Sequence, residues 1–278
     1  MKKILFFFIL AGIFLCSCVS GPGKSDKEKA DTPKVKTFKT VQTLDSIKKG
    51  DTVMIVLNGK KYQVTSVESE PEDESPAPGG KNMLKATKTN KPCDSESFDG
   101  SDRKAAKLSI APGTATAYNT LADFILSLPS DAVMGALHIS TGPTSNRVTK
   151  EKHNVHILKA FIYTYTHEGD EDYHVILGTT DQPNSAKFFN MEVSGLPASN
   201  SSAYAKLKST RDAFTGFFKI KGCVSGYVPV FNPPVEVEVT GSIFFDALHY
   251  TDHTTIGPNG YHPSSYWEIH PATEIIFM

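Results

Sequence analysis

Sulfur and indole are scarce in this chain, which has four cysteines and one tryptophan in 278 residues. No CxxC pair and no Cys/His spacing of the zinc-finger kind occurs, which excludes a structural zinc site of that type. Neither sign of charge dominates, with 29 basic against 30 acidic residues, so nothing global points to a nucleic-acid partner. A GxSxG elbow, a P-loop and a GxGxxG turn after a strand are all missing, so these motifs support neither an α/β-hydrolase, a nucleotidase nor a dinucleotide enzyme. What remains is ordinary globular composition, 39% hydrophobic and 21% charged, neither disordered nor collagen-like.

The one long apolar run, Ile4 to Leu15, is too short to span a bilayer but suits a signal-peptide core behind the basic Lys2 and Lys3. It leads into Leu15-Cys16-Ser17-Cys18, which resembles the bacterial lipobox, with Leu15 at −3, Ser17 at −1 and Cys18 as the residue to be lipidated. Cys16 is the weaker candidate, because Leu15 would then stand at −1. The resemblance implies an exported lipoprotein held at the bacterial cell envelope by acyl chains such as palmitate on Cys18. After cleavage, Cys93 and Cys223 are left as an even pair. A disulfide between them is the expectation for an exported protein, two free thiols the alternative.

Composition then divides the chain. Residues 1–17 read as the signal peptide and 18–36, mixed in charge with Gly and Pro, as a tether. In 37–68 two β-rich runs flank Asn58-Gly59, a strong hairpin signal, so a small β element is expected there. Residues 69–91 are an acidic Pro/Gly linker, and 92–278 form the main domain.

In that domain, Leu121, Phe124, Ile125 and Leu128 form a helical stripe capped by Asn119 or Thr120 and stopped at Pro129. The remainder reads as β: Val155 to Thr166, Tyr173 to Leu177, Phe188 to Val193, Phe217 to Lys221, Val235 to Phe245 and Glu268 to Phe277. In the first of these, alternation puts Tyr163 and Tyr165 on one face, Ile162 and Thr164 on the other. The expected fold is mainly β, a small OB-like barrel or β-sandwich with one short helix, preceded by the hairpin element. Lys206, Lys208 and Arg211 read as a solvated basic face.

Two stretches concentrate polar side chains in β-forming sequence. Asp172 and His174 stand two apart, as do Glu268 and His270, so each pair shares a strand face. Asp246, His249 and His253 approach the second pair. If the strands are neighbours, these groups converge. Imidazole and carboxylate together suit a divalent metal, and equally acid–base work. They also serve as hydrogen-bond clamps for strand ends and loops. The candidate catalytic residues are therefore Asp172, His174, Glu268 and His270, and the candidate metal ligands are these four with Asp246 and His249. The leading expectation is a binding or envelope-associated domain; the alternative is a metal-dependent hydrolase, nuclease- or esterase-like.

The C-terminal half, roughly residues 147 to 277, resembles a group of uncharacterised exported bacterial proteins. The residues that carry this are Asp170-x-Asp172-Tyr173-His174, Val239-Thr240-Gly241, Pro258-Asn259-Gly260 and Trp267-Glu268-Ile269-His270-Pro271. Asp170-Glu171-Asp172 here replaces the group's Asp-Gly-Asp, and Ala272 its usual Val. The resemblance implies that both polar stretches belong to one unit; it implies no reaction.

Overall fold

A computed structural model describes Leu44, residues 47–48, 50–68, 96–220 and 227–278. The signal peptide, the tether, the acidic linker, Cys16, Cys18 and the Cys93–Cys223 pair lie outside the described residues. No described helix is long and apolar enough to cross a membrane.

The elements in chain order are β1 (Thr52–Leu57), β2 (Lys60–Glu68), α1 (Lys104–Lys107), β3 (Thr116–Tyr118), α2 (Leu121–Ser127), α3 (Asp131–Gly135), β4 (Asn154–His167), β5 (Tyr173–Gly178), β6 (Phe188–Val193), α4 (Tyr204–Phe218), β7 (Tyr227–Phe245), α5 (Ala247–Asp252) and β8 (Pro263–Phe277). All strands belong to one sheet in the order β1-β2-β7-β8-β6-β5-β4-β3, and an additional β7–β4 pairing closes part of it. The closed ring is β4-β5-β6-β8-β7, five strands, with every pair antiparallel except β6–β8. Two meandering strands, a third, then a crossover that sets the fifth strand parallel to the third is the topology of an OB barrel. The expected mainly β, OB-like barrel is the fold.

Period-two patterning explains the ring. Val175 and Leu177 of β5, Phe189, Met191 and Val193 of β6, and Trp267 and Ile269 of β8 share one apolar core. Burying each such side chain contributes about 1.5–3 kcal/mol. Their alternates, His174, Asn190, Glu192, Glu268 and His270, face the other way, onto the outside of the barrel wall.

Five local expectations need correcting. The Asn58-Gly59 hairpin forms, with φ of 47° and 78° in its two turn residues, but β2 pairs with β7 and so joins the barrel sheet rather than standing apart. Tyr163 and Tyr165 do not share a face: a register shift between Ile162 and Thr164 turns Tyr163 into an outer cluster with Phe161, Ile176 and Phe188, and leaves Tyr165 in the main core. Phe217 and Phe218 end a helix instead of opening a strand. That helix, α4, is the largest addition to the expected single helix, α2, whose capping box between Thr120 and Asp123 is present. The buried stripe of α4 is Leu207, Thr210, Arg211, Phe214 and Phe218, so Arg211 is no solvated residue. Its guanidinium donates to the carbonyls of Glu171 and Ser194 and lies 4.6 Å from the Tyr173 ring centroid.

Candidate functional site

Sheet register assembles the polar residues. His174 of β5 stands opposite Glu192 of β6. Asn190 of β6 stands beside Glu268 of β8, and Met191 beside Ile269, so the next step brings Glu192 next to His270. Three strands therefore present His174, Glu192 and His270 in one rung and Asn190 and Glu268 in the rung above. Asp172, two residues before His174, extends the same face from the β4–β5 turn. The two stretches singled out in the sequence do meet, but not directly: β6 runs between them and supplies Asn190 and Glu192, which sequence reasoning missed. The signal was present in Phe188-Phe189-Asn190-Met191-Glu192-Val193, where two polar groups occupy alternate positions of an apolar strand.

The centre of the site is dry. Asp172 and His270 are 0% exposed and Glu192 and Glu268 1%, although all lie on the outer wall of the barrel. His270 Nδ1 is 2.7 Å from Glu192 Oε2 and 3.2 Å from Glu268 Oε1, while Nε2 is 3.5 Å from Asp172 Oδ2. His174 Nε2 lies 3.1 Å from Glu192 Oε1, and its Nδ1 3.7 Å from Glu168. The Asn190 amide donates to both Glu192 Oε1 (3.1 Å) and Glu268 Oε2 (2.8 Å). Asp172 Oδ1 accepts the Gly195 N–H at 2.6 Å. A Cβ at Gly195 would meet the Phe98 backbone at 2.8 Å, so only glycine lets that chain approach the carboxylate.

Several buried atoms have no hydrogen-bond partner: Asp172 Oδ2, Glu192 Oε2, His270 Nε2 and Asn190 Oδ1. Buried polar atoms are ordinarily paired. The contrast with the neighbouring Arg103–Glu151 pair is direct. There Arg103 Nη1 and Nη2 both donate to the Glu151 carboxylate at 2.7 Å, and that carboxylate also accepts from the Phe245 and Val148 N–H groups, so that only Arg103 Nε is left without a hydrogen bond. Arg147 adds hydrogen bonds to the carbonyls of Ile243, Ala106, Ser109 and His270. The two arginines build the wall behind the site and enclose Phe244, whose ring centroid is 5.4 Å from that of His270.

Burial and mutual charge shift the proton affinities. Burial disfavours the His270 imidazolium, but Glu192 and Asp172 outweigh it and push the group up to about 10. His174 is raised well above its usual value by Glu192 and Glu168, against the same desolvation. Glu192 is held well below the carboxylate range despite its burial, by His270, His174 and Lys107. Asp172 goes the other way: burial and Asp170 raise it strongly, with His270 opposing. Burial, with Glu192, pushes Glu268 up to about 7. Environments that drive like groups apart in this way mark sites of ligand or proton chemistry as well as ion-pair networks.

Asp246 and His249 lie farther along the chain and are built differently. Asp246 caps α5, its Oδ1 accepting the His249 N–H at 3.0 Å, and its Oδ2 is hydrogen-bonded to His249 Nδ1. Both candidates are thus closed on each other. His253 ends the same helix in the left-handed region. A half-open cavity of about 170 Å³ lies between Asp246, Asn190, Glu268 and Thr254, roofed by the β7–β8 connection. Trp267, at its edge, is a core residue held by Nε1 to the Pro129 carbonyl at 2.8 Å.

The acidic and imidazole groups on β5, β6 and the β4–β5 and β7–β8 connections occupy the strands and loops where OB barrels meet ligands, and β8 adds Glu268 and His270 beside them. No protein-family model, no curated protein and no solved structure matches the chain.

Proposed function

We propose that the chain is an exported lipoprotein, anchored through Cys18, whose OB-type barrel is a binding domain rather than an enzyme. Its cavity receives a small cationic or hydrogen-bond-donating solute. The observation that carries the reading is the chemistry of the cavity wall: the charged and amide groups reaching it, Asp246, Glu268 and Asn190, offer acceptor oxygens, and among the described residues no cationic side chain lines it. At about 170 Å³ it is well below the size of drug-binding pockets, so a compact solute fits and a polymer chain does not. Glu268, raised to about 7, gains a full negative charge when a cation settles beside it.

The hydrolase alternative needs an open coordination position for substrate. Asp172, Glu192 and His270 are sealed from solvent and do not line the cavity, which favours binding over turnover.

The test uses the full chain. A panel of small primary amines and amino sugars is screened by thermal shift and calorimetry, beside neutral polyols and carboxylic acids of equal size. At least one amine should bind, and Glu268→Gln should weaken it tenfold or more. Binding of acids in preference to amines, or of nothing, overturns the solute reading. Separately, labelled palmitate should enter the wild-type chain and not Cys18→Ala; equal labelling of both, or none, overturns the anchor.

A further inference from the structure

The unsatisfied atoms of the buried rung ask for a partner that side chains do not supply. Asp172, Glu192 and His270 come from the β4–β5 turn, β6 and β8, and one ligand-capable atom from each lies within 4.8 Å of the other two. Atoms held at roughly 2.0–2.2 Å from one metal ion stand about 3–4 Å apart, so modest side-chain adjustment suffices. All three residues are at least 99% buried, and Asp172 Oδ2, Glu192 Oε2 and His270 Nε2 make no hydrogen bond. They face one another as ion pairs, Asp172 Oδ2 with His270 Nε2 at 3.5 Å and Glu192 Oε2 with His270 Nδ1 at 2.7 Å, but none of these contacts has hydrogen-bond geometry, and an incompletely bonded buried charge is costly.

The surroundings are those of an oriented metal ligand. His270 Nδ1 faces the carboxylates of Glu268 and Glu192, so its proton belongs on that side and the Nε2 lone pair is turned toward Asp172 Oδ2. The Asn190 amide ties Glu192 Oε1 to Glu268 Oε2 and holds both carboxylates in place. Asp172 is fixed through its other oxygen by the Gly195 N–H. Asp172 and His270 thus each have one atom held by the fold and one facing the other at 3.5 Å, while Glu192 Oε1 is held by Asn190 and its Oε2 lies 2.7 Å from His270 Nδ1.

We propose that Asp172, Glu192 and His270 form a buried site for one divalent cation of the zinc, manganese or iron type. Two carboxylates and one imidazole suit these ions better than calcium, which prefers six or more oxygens. Such an ion closes the outer wall by joining the β4–β5 turn, β6 and β8, and takes the place of a proton between His270 Nε2 and Asp172 Oδ2. His174 and Glu268 position ligands; Asp246 and His249 take no part. The three ligands are not among the residues lining the solute cavity, although Glu268 and Asn190, which hold them, also reach it; metal content and solute binding are separate readouts, so either reading can fail alone.

The test begins with wild-type full chain expressed in rich medium and analysed for metal by mass spectrometry. It then measures melting temperature after chelation and after return of zinc or manganese. The expected result is close to one ion per chain and a melting temperature that falls by roughly 5–10 °C on chelation and recovers on return. Glu192→Gln and Asp172→Asn, checked for folding by circular dichroism, should lose the ion and the response, whereas Asp246→Asn keeps both. Cobalt loaded into the chelated wild type provides a readout independent of any variant: visible d–d bands with an imidazole contribution are expected. Folded wild type with no ion and no response to zinc, manganese or cobalt overturns the proposal, as does full metal content in Glu192→Gln and Asp172→Asn.

Discussion

Two acid–imidazole units use the same side chains and finish differently. Asp246 and His249 are three residues apart on one helical turn, and each satisfies the other, with the backbone N–H of His249 taking the remaining carboxylate oxygen. Asp172, Glu192 and His270 are brought together only by barrel closure, and each keeps one buried atom without a hydrogen bond. A local pair has freedom to relax until its bonds are made. A pair imposed by strand register does not, because the positions of its backbones are set by the apolar core on the opposite face. Incomplete bonding is therefore a mark of the second kind of unit, and it is there that an additional ligand has something to gain.

The sharpest way to break this comparison is to delete one member of each unit. His270→Ala removes the cation between Asp172 and Glu192 in a dry environment, with only His174 and Lys107 left near them, and removing one partner of a buried ionic group costs about 3–5 kcal/mol. The expected outcome, read by urea unfolding at pH 7, is a loss in that range with an unchanged slope. A loss below about 1 kcal/mol would mean that the rung is not electrostatically coupled.

That cost was not legible in the sequence, although much of the architecture was. The β-rich runs around Asn58-Gly59, the helix capped at Asn119 or Thr120 and the strands at 173–177 and 188–193 follow from period and turn chemistry, and a mainly β fold, barrel or sandwich, follows from their number and order; the β4–β7 pairing decides for the barrel. What stayed hidden depended on tertiary context. Thr210 and Arg211 sit in the buried stripe of α4, so the helix looks polar until Arg211 finds the Glu171 and Ser194 carbonyls. The bulge at Ile162–Thr164 inverts the tyrosines, and a one-residue slip has no signature in alternation. In Phe188–Val193 a carboxylate alternating with apolar residues is, by pattern alone, the mark of a solvated face. Only the cover laid over β5, β6 and β8 makes that face an interior. The pairs Asp172/His174 and Glu268/His270 were visible, and so was their shared face; the strand that joins them was not.

The matching deletion in the local unit should cost less. Asp246→Ala removes an N-cap and the partner of His249, but α5 has only six residues and His249 can turn to solvent. Loss of an N-cap costs about 0.5–2 kcal/mol. The expected result is a fall of about 1–2 kcal/mol, with Asp246→Asn recovering much of it because the amide oxygen still accepts the His249 N–H. Should Asp246→Ala destabilise as much as His270→Ala, the distinction between the two units collapses.

The smallest effect is a pH dependence that belongs to the local pair. Burial opposes the His249 cation, but Asp246 raises it from 6.5 to about 8, with Glu268 adding and His174 subtracting. Asp246 is lowered from 3.8 to about 2, His249 and Lys107 outweighing its burial. Because the folded imidazole holds its proton more tightly than the unfolded one, its contribution is fully present below pH 6.5 and is lost as pH rises through 8. The carboxylate works in reverse: its contribution is present above pH 3.8 and fades as pH falls toward 2. The pair is therefore complete between about pH 4 and 6.5. A rise of 1.5 units corresponds to about 2 kcal/mol at most, and since the His249 side chain is 19% exposed, screening reduces this to about 1 kcal/mol. Glu268 and Asp102 titrate in the same region, so the informative quantity is the difference between wild type and His249→Asn, which leaves them in place. That difference should shrink by about 1 kcal/mol between pH 6 and 9; one that stays flat across this range would show that Asp246 holds the His249 ring without its charge, as a neutral hydrogen-bond cap.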